Sequence, residues 1–195
     1  MNPIKALEDI DQVLPHDKAS ILLVYAGLKP SCLAIFSGEV YDQTKDEVHI
    51  DAGILNIFKQ ILDALHLHYQ IETKLYENEG ENETNAQEVV RAFISKDKDT
   101  ANKLKIYFDD LDKYDYEAGI LLGYPETAVM SFLTPNMLAM EDEPIATKYV
   151  SEVNMRLLGY RLSKDQWEDE VKPLEAQGNY LKELSPKIYS EVTQG

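Results

Sequence analysis

Apolar residues recur at three- and four-residue spacing along most of this chain, the period of helices with one buried face. Ile4, Leu7, Ile10 and Leu14 form such a stripe, in a helix that opens at Asn2 with Pro3 in its first turn and stops at Pro15. Segment 19–28 is very apolar and holds Gly27, so it fits a buried helix capped by Asp17 or a strand. Segment 31–36 is the better strand, closed by a Ser37-Gly38 turn. Asp51 opens the clearest helix, in which Ile54, Phe58, Ile61 and Leu65 align while Leu55, Leu62 and Tyr69 widen the band. It passes into 71–77, whose β-branched and aromatic content predicts an edge strand, and then into a solvated acidic loop over 77–85.

Helix is predicted again over 85–94, with Val89, Val90, Phe93 and Ile94, and over 100–111, with Leu104, Tyr107, Phe108 and Leu111. Segment 116–133 then makes a helix–turn–helix corner. Gly123 suits a helix C-terminus because it tolerates positive φ, and Pro125 suits the next helix's first turn. After a loop over 134–143, Pro144 starts a helix carrying Ile145, Tyr149, Val153 and Leu157 and ending at Gly159. Ser163-Lys-Asp-Gln166 is a capping box for a helix with Trp167, Val171 and Leu174, restarted at Pro173 and continued through Leu181, Leu184 and Ile188. The expected fold is α+β and mainly helical, with a two- to four-stranded sheet drawn from 19–28, 31–41 and 70–77. One globular domain spans 1–195, with a core over 1–134 and a helical region over 135–195.

Charge narrows the function. There are 35 acidic and 19 basic residues, a net −16, and Arg91, Arg156 and Arg161 are the only arginines. Nucleic-acid binding needs clustered Lys and Arg, so neither nucleic acid nor an anionic membrane is an expected partner. The longest apolar run, 21–28, is far short of the ~20 residues of a membrane span, and the N-terminus lacks a signal-peptide pattern, which points to the cytoplasm. The single cysteine, Cys32, lies in an apolar run and reads as a small buried hydrophobe.

Few residues carry chemistry. There is no phosphate-binding glycine loop and no serine in a nucleophile elbow. The Gly119/Gly123 spacing signals close helix packing. His66 and His68 would point apart on a helix; on a strand they would share a face with Glu72, but exposed or capping histidines are the favoured reading. The carboxylates Asp109, Asp110, Asp112, Asp115 and Glu117 crowd a helix end, where they oppose its dipole, and a solvated connector is favoured over a cation site. Neither a metal nor a cofactor is expected. Leu-Leu-Gly-Tyr occurs at 121–124 and again at 157–160, with flanks that do not align; this reads as a shared way of ending helices rather than a duplication. Met130, Met137, Met140 and Met155 concentrate around Pro135, and methionine suits surfaces that accommodate varied partners.

Gly119-Ile-Leu-Leu-Gly-Tyr-Pro125, followed by Ala128-Val129 and Phe132-Leu133, resembles the Gly-x-x-Leu-Gly-Tyr-Pro signature of a family of small bacterial proteins of unknown function. Ala26-Gly-Leu-Lys-Pro30 with Cys32-Leu33 and Phe36 is similar to that family's N-terminal element. The resemblance covers about thirty residues and implies kinship without an activity or a catalytic residue. The expected function is a non-catalytic interaction or regulatory protein, with a protein partner or a second copy of the chain meeting an apolar patch at Met137 and Met140. The alternative is a small-molecule binder or enzyme at the Gly-Tyr-Pro corner, drawing on Tyr116, Tyr124, Asp115, Glu117 and His66. It requires a concave pocket there with convergent polar groups.

Overall fold

The computed structural model describes residues 2–37, 47–48, 50–79 and 84–194. The chain is α+β and mainly helical. Its sheet is four-stranded and organised around its last strand. β4 (Thr84–Ser95) pairs antiparallel with β3 (His68–Glu79) on one side. On the other side it pairs antiparallel with β1 (Ser31–Ser37) and parallel with the short β2 (Glu47–Val48).

β4 is the main departure from the expected elements, since 85–94 was predicted as helix. Its reason is burial on both faces. Val90, Ala92 and Ile94 face the main core, while Phe93 packs on Phe108 at 5.8 Å from the opposite face. A strand covered on both sides loses its alternation and reads as a continuous apolar run. The acidic loop is correspondingly shorter than predicted, because 77–79 and 84–85 belong to the paired strands. Residues 80–83, the Ser37-Gly38 turn and His49 lie outside the described residues, at least in part.

Segment 19–28 resolves as helix. α2 (Pro15–Ala26) buries Ile21, Leu22, Leu23 and Val24 and ends at Gly27 with φ 77°. α1 (Pro3–Glu8) is shorter than its stripe suggested, and Val13 instead bridges to Phe36. α3 (Ala52–Ala64), capped by Asp51, brings Phe58 against Phe36 with ring centroids 4.3 Å apart. Edge-to-face contact of two fully buried rings makes this the anchor of the main core, and its loss to alanine would cost about 3–5 kcal/mol.

α4 (Lys98–Asp109) covers the other face of the sheet, with Gln70 donating to Asn102 at 2.7 Å. α5 (Leu111–Leu121) follows after one residue, so Asp112 stands in a helix's first turn, where its charge complements the dipole. The dipole conflict expected of the whole carboxylate run is therefore confined to its α4 part. α6 (Glu126–Leu133) packs on α5, and a Cβ built on Gly119 would sit 2.8 Å from Val129 Cγ2, so glycine permits that approach.

Beyond α6, the single helix predicted from Pro144 is a 3-10 segment (Met140–Lys148) with Pro144 inside it, followed by the short α7 (Glu152–Met155). Ile145, Tyr149 and Val153, expected to face the core, are exposed; Ala146, Val150 and Asn154 are buried instead. The buried positions keep the predicted four-residue spacing but sit one residue further along the chain. α8 (Trp167–Glu170), α9 (Lys172–Leu184) and α10 (Pro186–Gln194) complete the chain. Ser163 Oγ accepts from Gln166 N at 3.1 Å, but the reciprocal half of the capping box is replaced: Ser163 N donates to Glu170 Oε2 at 2.8 Å. Leu138, Ala146, Val150, Leu162, Val171 and Leu174 form a second small core, whereas Leu181, Ile188 and Val192 return to the first.

Candidate functional site

The two Leu-Leu-Gly-Tyr tetrapeptides meet. Both end helices, α5 and α7, and both deliver their tyrosines to one concavity between α5, α6 and the segment after α7. Tyr124 and Tyr160 lie with ring centroids 5.2 Å apart at an interplanar angle of 44°. Leu122 comes from the first copy and Leu158 and Gly159 from the second.

The first copy is placed by Gly123. Its φ of 78° turns the chain back, and a Cβ there would lie 2.8 Å from Pro30 Cδ. Glycine is thus required twice over, by conformation and by space. The second copy is placed by polar anchors behind it. The Tyr160 hydroxyl donates to Glu170 O at 2.6 Å, and Arg161 Nη2 donates to Leu138 O at 2.8 Å. Glu170, itself buried, accepts from Thr127 Oγ1 at 2.6 Å as well as from Ser163 N, and so links α6 to the same segment.

The result is a cavity of about 590 Å³. Its lining is mainly apolar: Phe108, Leu111, Leu122, Val129, Phe132 and Leu158 supply most of it, with Asp115, Tyr124, Tyr160 and Arg161 as polar groups. Size and composition match a site for a small organic ligand. Burial raises the pKa of both tyrosines above the usual phenol range, so each hydroxyl stays protonated and able to donate.

A second chamber of about 290 Å³ adjoins the first across Phe108, Leu122, Tyr124, Leu158 and Gly159, which line both. Its polar groups are His16, Asp17, Ser20, Lys29, Cys32 and Gln177. Asp17 Oδ2 accepts from Ile35 N at 3.0 Å, satisfying a backbone donor of the edge strand β1. Burial is the main reason that the Asp17 carboxyl pKa is raised and the Lys29 ammonium pKa lowered. Burial also pushes the Cys32 thiol up to about 12, so it is protonated at neutral pH and fits the hydrophobic role read from its context.

Of the residues singled out in the sequence, Tyr124 lines both chambers and Asp115 the first. Tyr116 donates to Glu126 Oε1 at 2.7 Å and joins α5 to α6 outside the cavity lining. Glu117 and His66 are exposed and away from it; His66 has φ 55° just after α3, and His68 begins β3. Met137 is half-buried and bridges to Ser163, while Met140 is 68% exposed. The sequence reasoning missed Tyr160, Lys29 and Asp17. The repeated Leu-Leu-Gly-Tyr was the signal for Tyr160; nothing local marked the other two. Among the described residues there is no group of three or more His, Cys, Asp or Glu side chains able to hold a metal, and no helix is long and apolar enough to cross a membrane. Searches against family models, curated proteins and solved structures found no match to this chain.

Proposed function

We propose that this chain is a binding protein for a small, largely apolar molecule held at the Gly-Tyr-Pro corner. The observation that supports it is the cavity of about 590 Å³ bounded by the two tyrosines, with apolar walls and four polar side chains. Of its polar side chains, Tyr160 and Arg161 are engaged in structural hydrogen bonds, and the Cys32 thiol of the adjoining chamber is protonated, which leaves no assembled nucleophile among the described residues. Binding, rather than chemistry, is what such a lining does well.

A straight-chain alcohol series titrated by calorimetry tests this reading. Each added methylene should tighten binding about fourfold until the cavity is full, from ~0.8 kcal/mol per buried CH₂. Gly159→Leu should abolish binding, since the new side chain would enter both chambers beside the Tyr124 ring. Equal, weak binding of all chain lengths would overturn the proposal.

A second reading has its own observation. Met130, Phe132 and Leu133 on α6 are exposed, as are Met140, Ile145 and Tyr149, and exposed apolar side chains in such numbers suit a protein partner or a second copy. Concentration-dependent mass by light scattering, abolished by Phe132→Ser or Met140→Ser, is the result expected of self-association.

A further inference from the structure

Resting on the cavity reading above, we infer that the ligand is an amphiphile with a single carboxylate, whose apolar part occupies the larger chamber and whose head pairs with Lys29 in the smaller one. Lys29 is the motive. Lys29 is half-buried and lines the smaller chamber; among the described residues its ammonium has no hydrogen bond and no ion pair, and the Tyr124 ring lies 5.8 Å from Nζ to centroid. Asp17 in the same chamber acts on this ammonium only from beyond ion-pair distance, so a ligand carboxylate in contact with Nζ would be its first direct charged partner among the described residues. The Tyr124 hydroxyl likewise has no hydrogen bond among the described residues and stays protonated, which supplies a second donor for a carboxylate oxygen.

The head's charge follows from the neighbours. Asp17 lines the same chamber, already holding Ile35 N, and its carboxylate opposes a second negative charge beside a single cation. His16 lines the chamber but is exposed, and the Cys32 thiol is protonated, so Lys29 is the less exposed of the basic side chains there. One ammonium against one resident carboxylate favours a monoanion over a phosphate dianion. Tyr124 stands between the chambers and touches both, so one molecule can reach Lys29 with its head while its chain lies against Phe132 and Val129.

The test compares decanoate with decanol, two chains of equal length that differ in head charge, by calorimetric titration of the full chain. The intact protein should bind both. Lys29→Met should weaken decanoate at least tenfold more than it weakens decanol, and Lys29→Arg should keep decanoate. Asp17→Asn should tighten decanoate without changing decanol, a gain that loss of folding cannot mimic. If Lys29→Met weakens both probes equally, or neither, while the intact protein binds decanol, the carboxylate assignment is wrong and the cavity reading stands. If the intact protein binds neither probe, the cavity reading falls and the assignment falls with it.

Discussion

Replacing Gly178 by alanine should destabilise the protein, although alanine is the better helix former. Gly178 is buried in the middle of α9, and a Cβ there would overlap the Asn154 carboxamide. A flexible side chain would simply move. Asn154 is held: its Nδ2 donates to Glu175 Oε2 at 3.0 Å and its Oδ1 accepts from the Tyr189 hydroxyl at 3.1 Å. Displacing it forfeits a hydrogen bond to a charged group, about 1.5–3 kcal/mol, and a neutral one, about 0.5–1.5 kcal/mol. Helix propensity returns about 1 kcal/mol. The net loss is about 1–3.5 kcal/mol, or roughly 2–4 °C in Tm for each kcal/mol at this chain length. The double-mutant cycle gives the sharper result. In an Asn154→Ala background the overlap is gone, so Gly178→Ala should change sign and stabilise by up to about 1 kcal/mol. Urea denaturation of the four proteins measures this. An equal destabilisation by Gly178→Ala in both backgrounds would refute the reasoning. The contact also bears on the site, because α7 leads directly into Leu157-Leu158-Gly159-Tyr160.

Gly123→Ala should cost more than Gly27→Ala. Both glycines have φ near 78°, worth about 1–2 kcal/mol of strain for alanine, but only at Gly123 does the new Cβ also meet Pro30 Cδ at 2.8 Å. Thermal melts should rank them in that order, and ligand affinity should fall in Gly123→Ala alone, since Tyr124 follows it. Asp17→Asn should be pH-dependent in its benefit. Burial raises the folded-state pKa above the ordinary carboxyl value of 3.8, so the stabilisation from proton uptake is complete below 3.8 and lost as pH rises through the folded pKa. The neutral asparagine should therefore be more stable than the parent near pH 7 and lose that advantage as pH falls toward 3.8. A difference in Tm that stays constant between pH 4 and pH 8 would contradict the assignment.

Much of the fold follows from local rules. Asp51, Asn2 and Pro173 mark helix starts because their chemistry satisfies or tolerates unpaired backbone groups, and α3 shows the stripe its sequence predicts. What escaped local reading was set by distant partners. β4 looks helical until α4 and α2 close on its two faces, and the Met140–Lys148 segment looks like a regular helix until its Ala146 edge is chosen over its Ile145 edge. The site divides in the same way. Tyr124 is legible because Gly123 and Pro125 flank it, while Lys29 and Asp17 gain meaning only when α2 and the α5–α6 corner are brought against each other.

An apolar cavity of this size should collapse unless its walls are held from behind. Here they are. Gly119 seats α5 on Val129 of α6, and Gly123 seats the corner on Pro30. Glu170 then fastens α6, through Thr127, to the Ser163 backbone, and its own carbonyl fastens Tyr160. Arg161 is tied to Leu138, and Asn154 to Glu175 and Tyr189. Each wall is thus fixed by a polar contact or a close glycine approach of its own. Tyr124 and Lys29 are the exceptions that matter: both present polar groups inward with no hydrogen-bond partner among the described residues. Under the proposed ligand-binding reading, these anchors mean that a guest would meet walls and donors already in place and would not have to order them on binding.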